Sequence, residues 1–193
     1  MSNYRDSTIF KQSDRKWKKN ALIGSYFSND LSLIAQGYYK GAKILVESLD
    51  NNPSNALVYP IVFLYRHYIE IQLKAILEEF REMGAISNRI MSHKLDVLLK
   101  RVNQICTQQS LQNLSDEVCE TIQEFNEFDN SSQTFRYSIN RNGVSNIPEH
   151  DTLGLETLKT VMVIVESELY GLHLELRETN KTNQEIHREH DQN

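Results

Sequence analysis

Residues 59–80 read YPIVFLYRHYIEIQLKAILEEF, and the rest of the chain is organised around them. Ile61, Leu64, Tyr65, Tyr68, Leu73, Ile76, Leu77 and Phe80 recur close to helical spacing, which predicts one long helix with an apolar wall. Arg66, Glu70, Lys74 and Glu78 step along it by four and stack as one polar stripe, with His67 beside them. A charged row on so apolar a helix faces either water or a shared polar site. The helix is predicted to begin near Asn55 or at Pro60, since proline is tolerated in a first turn. It ends around Met83–Gly84, where glycine suits a C-terminal cap.

The flanking segments carry the same period. Upstream, Asn29 and Asp30 are good N-cap residues. They open a helix whose apolar set is Leu31, Leu33, Ile34, Tyr38, Ala42, Leu45, Val46 and Leu49, ending near Asn51–Asn52–Pro53. Gly37 and Gly41, one turn apart in it, predict close packing against another helix. Downstream, Ser92 starts SHKLDVLLKRVNQICTQ, with a stripe of Leu95, Leu98, Leu99, Val102, Ile105 and Cys106. Asn113 or Ser115 opens a fourth helix with Val118, Ile122, Phe125 and Phe128 inward. The polar stretch 131–150 reads as a loop with room for a short hairpin. Thr152 caps a last helix whose packing face is Leu155, Leu158, Met162, Val165, Leu169 and Leu172. The expectation is an all-α, antiparallel helical bundle of about five helices. It divides into a basic polar arm at 1–28, a helical domain at 29–176 and a polar, disordered tail at 177–193.

Composition narrows the class. The chain has 193 residues, enough for a sizeable core in one domain. Seven glycines and three prolines are too few for an architecture of many short strands and turns. No apolar run approaches the roughly 20 residues needed to span a bilayer, and the first 20 residues lack the apolar segment of a secretory signal. Cys106 and Cys119 make no disulfide framework. These readings imply a cytoplasmic protein without a membrane partner. Net charge is −5, with an excess of basic residues at 1–20, a slight acidic excess at 175–193, and an acidic body between them. A basic arm on an acidic body suits nucleic acid, an acidic partner or a second copy, and is equally what a solvated terminus looks like.

Several chemistries find no motif. There is no glycine-rich phosphate loop, paired CxxC, HExxH or GxSxG in the sequence. The histidines at 67, 93, 150, 173, 187 and 190 form no metal-ligand spacing on one element, so neither a metal nor another cofactor is expected. What remains is a polar set dispersed along the chain: Arg66, His67, Glu70 and Lys74 on the second helix, His93 at the start of the third, Asp129 at the end of the fourth, and Arg136–Tyr137 beyond it. Charges buried on a helical scaffold have to be paired. Glu70 and Asp129 are therefore expected to hold Arg66, Arg136 and Lys74, a network that also serves plain helix packing. Arg136 and Tyr137, in a loop beside Ser131, Ser132, Gln133 and Thr134, suit a phosphate and a stacked base.

Three of these stretches, in order, resemble the helical core of HEPN-type domains: YRHYIEIQLKAIL at 65–77, SHKLDVLL at 92–99 and FDNSSQTFRYS at 128–138. The resemblance covers roughly residues 56–140. It implies a helical bundle, frequently a homodimer, of a kind found in ribonucleases of toxin–antitoxin, abortive-infection and other phage-defence systems. The same family includes non-catalytic modules that bind RNA or a cognate protein partner. The chain departs from the ribonucleases at their motif, an Arg followed after four to six residues by His. Arg136 is followed at the required positions by Arg141, Asn142 and Gly143; Arg89 and His93 are too close, and Arg66 and His67 are adjacent. The first expectation is accordingly an RNA-binding or protein-interaction module in a defence or toxin–antitoxin setting. The second is a divergent, metal-independent endoribonuclease with Arg136 at the phosphate, His93 or His67 as acid/base and Lys74 as electrostatic support. A third is a small-ligand sensor that gates a partner protein.

Overall fold

The computed structural model describes residues 30–49, 54–129 and 152–190. They form five α-helices: α1 (Leu31–Leu49), α2 (Val58–Glu82), α3 (Leu95–Gln108), α4 (Asp116–Phe128) and α5 (Leu155–His190), with a 3-10 turn, Asn55–Leu57, leading into α2. The described residues contain no strand, and no helix among them is long and apolar enough to cross a membrane.

Helix α2 is central because it is apolar on nearly every side. It touches α1, α3 and α5, while α4 packs on α3 and α5. Ile61, Tyr65, Tyr68, Ile69, Leu73, Ile76 and Phe80 are fully buried among Leu95, Leu98, Ile105, Ile122, Met162 and Leu169 from the other helices. Pro60 falls in the first turn, and Gly84 at φ +75 ends the helix: its N–H bonds to the Arg81 carbonyl, and the Ala85 N–H to that of Phe80. Ser110, at φ 57, closes α3 by the same pattern, its N–H on Thr107 O and that of Leu111 on Cys106 O.

Side-chain contacts fix the directions. Ser32 bonds Gln72, and Tyr39 packs on Tyr65 and Tyr68, so α1 runs antiparallel to α2. Asn126 near the end of α4 meets the start of α3, and Asn103 meets Cys119, so α3 and α4 are antiparallel too. Helix α5 runs the same way as α2: Glu166 lies near Tyr68, and Asn180 reaches Glu79.

Several local expectations shift. In α1, Ala42, Val46 and Leu49 are buried as expected, but Leu33 and Ile34 are exposed while Ala35 and Tyr39 take their place in the core. Gly41 meets Leu64 Cδ1 at 3.6 Å, but a Cβ on Gly37 would meet nothing within 4 Å. Helix α3 starts at Leu95 rather than Ser92, because the Asn126 side chain of α4 accepts from the Leu95 and Asp96 N–H groups. Phe128 is exposed rather than inward. Helix α5 runs past 176 to His190, its continuation tied to α2 by Asn180. The expected basic arm and the loop at 131–150 lie outside the described residues.

Candidate functional site

Arg66 is the largest fully buried side chain among the described residues. A guanidinium stays protonated at any ordinary pH, so its burial requires partners. It has them on three elements. Nε donates to the Asp129 carbonyl at 2.9 Å, Nη2 to the His93 carbonyl at 2.9 Å and Nη1 to Glu70 Oε2 at 3.1 Å. The Asp129 carboxylate adds an ion-pair contact at 3.6 Å. One side chain thereby joins the middle of α2 to the segment before α3 and to the end of α4.

Glu70, one turn on, is also buried and is the hub of the cluster. Its Oε1 accepts from Lys74 Nζ at 2.8 Å and lies 2.8 Å from His93 Nδ1. Burial pushes the Glu70 carboxyl up, but the hydrogen bonds from Lys74 and His93, the Lys74 charge and the Arg66 bond outweigh it, and the net shift is downward. Glu70 is therefore a carboxylate and can only accept, so His93 Nδ1 carries the hydrogen of that bond. The His93 side chain is 77% exposed. Its second ring nitrogen, Nε2, is left as the basic atom of a ring whose orientation is set from below. Lys74, partly exposed, adds a cationic head next to it.

Five of the expected residues thus come together: Arg66, Glu70, Lys74, His93 and Asp129. His67 sits elsewhere on α2, stacked on Phe63 at 5.6 Å and edge-on to Tyr38 at 4.4 Å, in an aromatic patch between α1 and α2. Arg136 and Tyr137 lie outside the described residues. Within the cluster the labour divides by exposure. Arg66 and Asp129 are enclosed and act on the scaffold; His93 and Lys74 reach water and can meet a ligand.

A second polar group lies toward the other end of α2. His173, Asn180 and Arg177 of α5 face Glu79 of α2 and Asp30 before α1 across a cavity of about 440 Å³. Asn180 donates to the Glu79 carbonyl at 3.1 Å and to its carboxylate at 2.7 Å, and Arg177 pairs with Asp30 at 3.1 Å. His173 is buried, with neither ring nitrogen hydrogen-bonded; its Nδ1 is 3.9 Å from Glu79 Oε1. Burial pushes its pKa below the ordinary value, Arg177 adds to that, and Asp30 opposes it. The sequence reading missed this group. Its one signal was a His and an Asn seven residues apart on the apolar side of the last helix. Among the described residues no three His, Cys, Asp or Glu side chains are arranged to hold a metal ion.

Comparison with protein-family models, with curated proteins and with solved structures returns no match, so the functional reading rests on the chain's own residues.

Proposed function

We propose that the chain is a HEPN-like RNA-binding module acting in a phage-defence or toxin–antitoxin setting, with Lys74 and, as an imidazolium whose Nε2–H donates, His93 as its phosphate contacts. The observation that carries the reading is the His93 ring, exposed to solvent yet held at 2.8 Å by a buried carboxylate beside a lysine. An exposed histidine serving only packing needs no such mount, whereas a group that meets a ligand gains from a fixed direction. The acidic body supports a small local site rather than a long basic track.

The same dyad favours a second reading, metal-independent endoribonuclease. With Nδ1 fixed on Glu70, Nε2 can take the proton of a ribose 2′-OH as its oxygen attacks the adjacent phosphorus. The P–O5′ bond breaks, leaving a 2′,3′-cyclic phosphate and a 5′-hydroxyl once that oxygen is protonated.

One experiment addresses both. Labelled tRNA and a single-stranded RNA are titrated with the full chain in EDTA, alongside His93→Ala and Lys74→Ala. The proposal expects saturable binding, weakened several-fold in each variant, with the slope of affinity against salt reduced by about one in Lys74→Ala. Cleavage that disappears in His93→Ala promotes the second reading. Folded wild-type protein that neither binds nor cuts at about 100 μM, the weak end of ordinary non-specific affinity, overturns both and leaves a protein-interaction module.

A further inference from the structure

The cavity of about 440 Å³ between α2, α5 and the start of α1 has the volume of an ordinary small-molecule site. His173 and Asn180 lie buried on its inner side, and Glu82 and Lys181 are exposed at its mouth. Four carboxylates line it, those of Asp30, Glu78, Glu79 and Glu82, against the two cations Arg177 and Lys181. Both cations are engaged, Arg177 with Asp30 and Lys181 with Glu178, and Glu78 is held by Arg81 and Arg89. Two acceptors are left over. Glu79 Oε2 takes the Asn180 amide at 2.7 Å, but its Oε1 accepts no hydrogen bond from a described residue. Nor does the Glu82 carboxylate, one turn further along α2.

The His173 ring faces the same space. It is 4% exposed, neither of its nitrogens is hydrogen-bonded to a described residue, and Nδ1 lies 3.9 Å from Glu79 Oε1, too far for a hydrogen bond. Burial holds its pKa below the ordinary value, so at neutral pH the ring is uncharged and one of its nitrogens is an acceptor. Two polar groups 3.9 Å apart that do not satisfy each other suit a donor-rich group placed between them, about 2.9 Å from each. Four carboxylates repel an anion, and among the described residues no three His, Cys, Asp or Glu side chains are arranged for a metal ion. An alkylammonium meets both demands, with three donors and a positive charge. Leu31 and Ala75 offer its methylenes an apolar wall. Glu82 stands about 5–6 Å beyond Glu79 on the same side of α2, a short alkyl chain away. We propose that the cavity binds an aliphatic diamine, one ammonium group between Glu79 Oε1 and the His173 ring and the other on the Glu82 carboxylate. The site is independent of the RNA-binding reading, since neither His93 nor Lys74 lines it.

The test is isothermal titration calorimetry on the full, nucleic-acid-free chain at neutral pH with 1,4-diaminobutane to about 10 mM, a range that covers millimolar affinity. Butylamine and 1,4-butanediol are the singly charged and uncharged comparisons. Circular dichroism and a melting curve for every variant establish that it is folded. Wild type is expected to take up the diamine saturably, with a raised melting temperature, and the diol not at all. Folded Glu79→Gln and His173→Leu should each weaken the diamine and butylamine alike, about tenfold. Glu82→Gln changes an exposed side chain that the bundle does not use. It should weaken the diamine several-fold and leave butylamine as it was. A wild type with neither saturable heat nor a raised melting temperature at the top of the range overturns the proposal. So does a diol that binds as well as the diamine, or a diamine indifferent to His173→Leu or to Glu82→Gln.

Discussion

Arg66 and His173 are both polar groups taken out of water against α2, one toward its middle and one near its C-terminal end, and they are treated in opposite ways. Arg66 has donors committed to Asp129, His93 and Glu70. His173 has no hydrogen bond on either ring nitrogen. The difference follows from what each group can give up. A guanidinium cannot shed its proton, so an unpaired one in the interior costs several kcal/mol and the fold has to supply acceptors. An imidazole can be buried neutral, and the interior exacts only a lowered pKa. One region is therefore a lock that fails when a partner is lost, and the other is a reserve spent only when acid forces a proton onto it.

The largest expected effect breaks the lock. Arg66→Met keeps much of the volume but leaves the buried Asp129 carbonyl, the part-buried His93 carbonyl and the Glu70 carboxylate short of a donor. It should cost about 3–5 kcal/mol in urea unfolding. A loss under about 1 kcal/mol, the size of an exposed pair, would mean that the cluster does not hold the fold.

Glu70→Gln is intermediate. It removes the charge that Arg66, Lys74 and His93 share and should cost about 1–3 kcal/mol at pH 7. Because the folded pKa of Glu70 is lowered, the carboxylate's stabilisation is present above its ordinary value of 4.5 and lost as pH falls through the folded value. Melting temperatures of wild type and variant should therefore converge on acidification below 4.5. Curves that stay parallel down to the lowest measurable pH would remove Glu70 as their cause.

The smallest effect sharpens the contrast. His173→Leu should change little at pH 7, where the buried ring is neutral. The lowered folded pKa means the unfolded chain takes up the proton first, so wild type loses stability as pH falls through the ordinary value of 6.5. The variant lacks that loss. Its melting temperature should gain on wild type between pH 7 and pH 5, and an unchanging difference would show that His173 is solvated after all.

Much of this was legible before any coordinates. The wall of α2 is buried as its period implied, with only Leu64 partly exposed, and the four-residue stripe forms the Arg66–Glu70–Lys74 chain of contacts. Spacing within one helix carries that information. It does not carry which stripe is inside, and α1 shows why: with apolar residues on two faces, periodicity cannot choose between Leu33–Ile34 and Tyr39. Nor does it report partners from elsewhere. Arg66 is buried by carbonyls at 93 and 129, and α3 is capped by Asn126 of another helix, so its start could not be read from Ser92 alone. His173 was visible only as one histidine in an apolar helix, because its lack of a hydrogen bond belongs to the packing around it. The tail's polarity masked Asn180, which ties it to α2.

Two of the acceptors that hold Arg66 are main-chain oxygens, those of His93 and Asp129. Every amino acid supplies that oxygen. The hold on Arg66 therefore asks of position 93 a backbone and not an imidazole: a different side chain there gives up the bond to Glu70 but leaves the carbonyl that Arg66 grips in place. A lineage of such proteins can acquire, exchange or discard a reactive group at its surface in one codon, and selection on what the protein touches need not be selection on whether it folds.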